Sequence, residues 1–160
     1  MSYYLNKEVA IYACALIRPA IDELFRSPYP KRKCLHLVVL DPTKQHESTS
    51  DVDSILFEES INGAEWGEYA FNDFARAKAF LSFRTGLSSL EVQQFRPHLY
   101  EEGDVKYGGS VIFNGIIAAA SGIQPYFDAM CAMWLATACH AIATHDFQSL
   151  LASDNDWVHK

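Results

Sequence analysis

Between Tyr3 and Phe25 apolar residues recur every third or fourth position, at Leu5, Val9, Ala13, Leu16, Ile17, Ala20, Ile21 and Leu24. This is the stripe of an amphipathic helix. Pro19 falls inside it, lacks an N–H and crowds the carbonyl one turn back, so a kink near Ala15 or a break after Arg18 is expected. Ser27-Pro28-Tyr29-Pro30 ends the helix. Cys34 to Leu40 is a nearly continuous apolar run, the pattern of a strand buried on both faces. Asp41-Pro42 closes it, and polar residues without period run as a solvated loop to Asp53. A short strand is predicted over Ser54–Glu58, followed by a turn at Asn62-Gly63.

A second helix is predicted from Trp66 to Phe83, with an aromatic-rich apolar side and Gly86 as its C-terminal cap. From Leu87 to Glu102 the pattern is mixed; Ser89 with Gln93 can open a short helix that Pro97 stops. Val105–Phe113 and Ile116–Ser121 are strand-like and are joined by Asn114-Gly115, a dipeptide suited to the positive φ angles of a two-residue hairpin turn. The second arm is apolar on both faces, so it is covered on each side or lies at an oligomer interface. Pro125 suits the first turn of a last helix, Asp128 complements the positive end of its dipole, and Phe127, Cys131, Trp134, Ala138 and Ile142 form its stripe. The order of elements predicts an α+β fold, an antiparallel sheet flanked by helices. One domain over residues 1–148 with a frayed tail over 149–160 is expected.

Composition narrows the function more than the fold. With 160 residues, 49% hydrophobic and 21% charged, the chain has the makeup of one globular domain. A formal charge of −7 with 13 Lys and Arg argues against nucleic acid or an anionic membrane as partner. Lys31-Arg32-Lys33 is read as marking a strand entrance. The N-terminal apolar run is interrupted by Arg18, Pro19 and Asp22, unlike a signal peptide or membrane span, so a cytoplasmic location is expected. Cys14, Cys34, Cys131 and Cys139 sit in apolar segments without a C-x-x-C pair and read as reduced core thiols.

Phosphate-loop, dinucleotide, zinc-protease and serine-hydrolase signatures are absent from the sequence. Gly108-Gly109 is conspicuous, because glycines in a strand forfeit packing. The pair marks a bulge or strand entrance, or bare backbone against which a ligand plane lies. Lys78 lies among apolar residues of the second helix. It either snorkels to water or holds a cation at a pocket rim to meet a carboxylate or phosphate. No two histidines have metal-ligand spacing on a helix, and no metal is expected; His36 reads as a satisfied core residue. His98, following Pro97, is the candidate axial ligand for haem. The acidic groups Glu58-Glu59, Glu65 with Glu68, and Glu101-Glu102-Asp104 read as solvated faces or loops.

In order along the chain, Leu56 to Ala64, Ala75-Arg76-Ala77-Lys78-Ala79 and the run from Gly108 to Gly122 resemble the "LAFxRMDGA", "ALAKA" and "GGxPIxxxGxxxGAIGVSG" segments of the GlcG/HbpS-like family, which includes the C-terminal domain of PduO. Asp128 falls where that family often has an acidic residue. The resemblance implies a profilin-like fold, a homo-oligomer, and a small-molecule ligand that is haem or another tetrapyrrole in some members. Read from the residues themselves, Lys78, His98, Gly108 and Gly109 are the candidate ligand-binding positions, with a pocket expected between the Gly108-Gly109 strand and the Lys78 helix. The chain departs from the pattern at Asp41-Pro42-Thr43, where the family has an Asp-x-x-Gly turn, and in lacking a histidine on the first helix. An enzyme acting on a small organic acid and a ligand-free assembly module are the alternatives.

Overall fold

The computed structural model of the chain describes residues 5–152 and 156–157. Tyr3 and Tyr4, and parts of the expected tail, lie outside the described residues. Helix α1 (Lys7–Arg26) is capped by Asn6, whose side chain accepts from the Val9 N–H at 2.9 Å. It continues through Pro19 instead of breaking there. Ala15, Pro19 and Ala20 are exposed, so the carbonyl that loses its partner to the proline ring faces water, and the buried residues Ala13, Cys14, Ile17 and Ile21 anchor the helix to the core on both sides of it.

Strand β1 (Leu35–Leu40) is buried at every position, as its unbroken apolar run requires. Strand β2 (Ile55–Ile61) is longer than Ser54–Glu58, because it follows β1 along its length, from Leu35 opposite Ile61 to Leu40 opposite Ile55. Helix α2 (Phe71–Thr85) starts five residues later than expected, after Gly67 takes a φ of +65°. It ends at Gly86, which is left-handed as a C-terminal cap should be. A short helix α3 (Ser89–Phe95) is capped by Ser88 and stops before Pro97. Strands β3 (Ser110–Phe113) and β4 (Ile116–Ser121) form the hairpin, with Asn114 at φ 46° and Gly115 at φ 81°. The residues from Val105 to Gly109 are not in the strand, since Gly109 at φ +142° ends the extended conformation. Helix α4 runs from Pro125 to Leu151, past the start of the expected tail.

The sheet is antiparallel and four-stranded, in the order β2-β1-β4-β3. Leu35, Leu37, Val39, Ala118 and Ala120 face α1 and α4, forming the larger core. Val38, Leu40 and Ala119 face α2, where Ala75 and Ala79 allow close approach. Both faces of β4 are therefore covered within one chain, which explains its apolar arm without a partner copy. Helix α4 is long and apolar enough to cross a membrane by length and composition alone; here it lies on the sheet and against α1. All four cysteines are free and buried.

Candidate functional site

The chain leaves β4 at Ser121 and enters α4 at Pro125, and this passage is where α2 on one face meets α4 on the other. Helical spacing on α2 puts Lys78 on the same side as Ala75 and Ala79, facing the sheet; its length carries the amine to the end of β4. Lys78 Nζ donates to Ala120 O at 3.1 Å, to Ser121 Oγ at 3.2 Å and to Asp128 Oδ2 at 3.2 Å. The ammonium's donors are thus fully used. Asp128 in turn accepts at Oδ1 from the Ile123 N–H at 3.0 Å, and it sits in the first turn of α4, where the helix dipole favours negative charge.

Lys78 and Asp128 are only 2% and 3% exposed. Lys78 therefore does not snorkel to water. Burial pulls its amine below the ordinary lysine range, and the Asp128 carboxylate works against that pull. Burial likewise pushes the Asp128 carboxyl above its ordinary range, opposed by Lys78 and by the backbone N–H groups of Ile123 and Gly122.

Gly109 covers this pair. A Cβ there would stand 2.6 Å from Ala120 O and 2.7 Å from Lys78 Nζ. The bare backbone at Gly109 thus faces the lysine and not an open ligand plane. Gly108 is different, since a Cβ there would make ordinary contacts with Leu90 and Pro125. Beside the pair opens a cleft of about 320 Å³, with Lys78, Ser121 and Asp128 at its base and Arg32, Tyr69, Phe71, Phe74 and Tyr107 around it. Its size lies at the lower end for small-molecule sites.

Of the residues singled out from sequence, Lys78 lines the cleft and Gly109 abuts Lys78; Gly108 and His98 do not line it. His98 is exposed on the single turn that follows Pro97. Haem ligation by histidine, cysteine or methionine has no donor on the cleft wall, so these residues do not fit a haem held in that way.

Sequence reading missed Arg32, Tyr69 and Tyr107 on the wall. Arg32 lies in the basic triplet that by sequence marks a strand entrance, and its guanidinium stands 5.0 Å from the Tyr69 ring centre and 5.5 Å from that of Phe71. Tyr69 and Phe71 are stacked, with centres 5.6 Å apart. The aromatics from Trp66 to Phe71 would have signalled a wall had the helix been started after Gly67. The segment bearing Arg32 is fixed by Gln124, which accepts from the Lys31 N–H at 3.1 Å and donates to Tyr29 O at 3.2 Å.

Two acidic positions are not the solvated groups expected. Glu58 pairs with Arg76, and Asp104 with Arg84 at 2.7 Å, because α2 lays its arginines over the sheet edge and the following loop. His36 is buried, as its alternation with leucines suggested, with Nδ1 2.8 Å from Ser60 Oγ. Its Nε2 lies 3.4 Å from Glu58 Oε1, but without hydrogen-bond alignment.

No family model matches the chain, and no curated protein matches it. Solved structures resemble it in fold. The Klebsiella pneumoniae protein ORFY, described under the family model DUF336, superimposes with a TM-score of 0.58 at 14% identity, over 85% of this chain and 90% of that one. The Ybr137w protein superimposes with a TM-score of 0.53 at 16% identity, over 89% of this chain and 80% of that one. At these identities the likeness is one of fold.

Proposed function

We propose that this chain is a small-ligand-binding protein of the GlcG/HbpS-like type, with a profilin-like fold, whose ligand occupies the cleft between α2 and the start of α4. The likeness to ORFY supports that family, and the ordered sequence segments support it independently. The observation that carries the reading is the cleft itself: aromatic walls around a base formed by a buried ion pair. Partly exposed Tyr69 and Tyr107, at 45% and 54%, are apolar surface whose burial a ligand would complete. Mass analysis and an absorption spectrum of the purified protein, followed by a thermal-shift screen of small aromatic compounds, test it. A co-purifying molecule, or saturable binding weakened by Tyr69→Ala and Tyr107→Ala, is expected. Binding unaffected by both changes would move the site elsewhere. A saturable haemin spectrum lost in His98→Ala would replace this reading with the haem one.

Self-association is a second reading, favoured by the outward face of α1. There Tyr12 and Leu16, one turn apart, are 55% and 52% exposed, with Ile11 at 46% on the adjoining flank of the helix. A second copy covering this face would make the homo-oligomer that the family resemblance implies. Sedimentation of the wild type and of Leu16→Glu distinguishes a dimer or larger form from a monomer.

A further inference from the structure

Resting on the binding reading above, we infer that the ligand is an aromatic monoanion and that Arg32, not Lys78, is the residue that recognises its charge. The charged side chains around the cleft are Arg32, Lys78 and Asp128. Lys78 and Asp128 lie 3.2 Å apart and neutralise each other. Neither has capacity left for an anion: the lysine's donors go to Ala120, Ser121 and Asp128, and the positive end of α4 is already answered by the Asp128 carboxylate. A second negative charge at the base would meet Asp128 with no free donor in return.

Arg32 is the opposite case. It is exposed, and no ion pair to it occurs among the described residues. Its guanidinium is nonetheless placed, over Tyr69 and Phe71 on one side and by the Gln124 clamp on the backbone of its own segment. A guanidinium held over rings by its charge keeps its N–H donors available, and none of the Arg32 donors is used by a hydrogen bond or ion pair among the described residues. Those donors suit the two oxygens of one carboxylate. The stack of Tyr69 on Phe71, with Phe74 beyond and Tyr107 also on the wall, supplies apolar surface for a ring on the same molecule. A cleft of about 320 Å³ accepts one or two fused rings with a short acidic arm. One unmatched cation then calls for one negative charge.

The test uses the full chain and matched probes, with binding read from chemical-shift changes at Tyr69, Tyr107 and Arg32 and from calorimetry. Phenylacetate and indole-3-acetate are compared with their neutral amides, with phthalate as a dianion and acetate as an anion without a ring. The acids are expected to bind about tenfold or more tightly than the amides, consistent with a charge-assisted bidentate contact. Arg32→Gln should remove that preference while leaving the ring contacts, and Arg32→Lys should restore only part of it, because lysine keeps the charge but loses the planar fork. Circular dichroism confirms that these exposed-site variants are folded. Equal binding of acids and amides at the cleft, tighter binding of phthalate than of phenylacetate, or no effect of Arg32→Gln would overturn this inference and leave the binding reading standing. If no aromatic probe shifts the cleft residues, the inference falls, and if in addition no molecule co-purifies and no compound in the screen binds, the binding reading falls with it.

Discussion

Lys78 Nζ and Asp128 Oδ2 lie 3.2 Å apart, both buried, and tie the middle of α2 to the first turn of α4 around the end of the sheet. Removing one partner of such a pair strands a charge in the interior, whereas removing both does not. Lys78→Met and Asp128→Leu are each expected to cost about 3–5 kcal/mol of stability, and the double change less than the sum of the two. Equilibrium denaturation of the four proteins in that cycle measures it; additive losses would mean that the residues do not act as a pair.

Gly109 and Gly108 separate backbone strain from simple bulk. At Gly109, φ is +142° and an added Cβ collides with Ala120 O and Lys78 Nζ, so Gly109→Ala should destabilise by about 2 kcal/mol or more. At Gly108 the added carbon makes ordinary contacts, so the same change should be tolerated far better. Thermal unfolding of the two variants compares them directly, and equal losses would refute the distinction.

Acid stability turns on Glu58 and His36. The hydrogen-bonded Arg76 guanidinium holds the Glu58 carboxyl below its ordinary value of 4.5, so its contribution is complete above that pH and is lost as pH falls through the depressed folded value. Burial pulls His36 below its ordinary 6.5, partly offset by Glu58, so the unfolded chain takes up this proton first and stability begins to fall below pH 6.5. Asp128, raised by burial, acts in the opposite sense as it is protonated. Glu58→Gln should cost about 1 kcal/mol near neutrality. It should also flatten the loss below pH 4.5 and steepen the loss just below 6.5, because His36 loses the carboxylate that favoured its charged form. Urea midpoints collected from pH 7 to 3 decide this.

Pro19 stands on the exposed side of α1 with a helix continuing on both sides. Pro19→Ala restores an N–H that can reach the Ala15 carbonyl and should raise stability by about 1–3 kcal/mol without affecting the cleft. A lowered melting temperature would contradict this.

The cysteines offer a check on the core. Burial pushes the thiols of Cys14, Cys131 and Cys139 up to about 12. Aromatic disulfide reagents should therefore leave the native protein almost unmodified at neutral pH and titrate all four cysteines once it is unfolded.

What the sequence made legible was whatever its local pattern determines. The unbroken run of β1, the positive-φ dipeptide at Asn114-Gly115 and the cap at Gly86 each act through neighbours in sequence, and each stands where it was expected. Errors arose where distant contacts decide. The aromatics at Trp66 and Tyr69 suit a helix face by spacing, but they pack with Phe71 and the helix begins only beyond them. Lys78 was visible as a lysine out of place; its partner is Asp128, 50 positions away, and no local rule connects them. Arg32 looked like strand punctuation because nothing nearby shows that Gln124 and Tyr69 will surround it.

The clamp of Gln124 on Tyr29 and Lys31 spans 95 and 93 positions of chain. During synthesis, therefore, the first helix and every strand of the sheet are made before the Gln124 clamp on the Arg32 segment can close. The cleft is a late product of translation: its cation, its clamp and its buried pair come together only once the start of α4 has emerged. A chain stopped short of Gln124 lacks both the clamp on the Arg32 segment and the carboxylate that answers Lys78, so the complete cleft forms only in chains that extend past the first turn of α4.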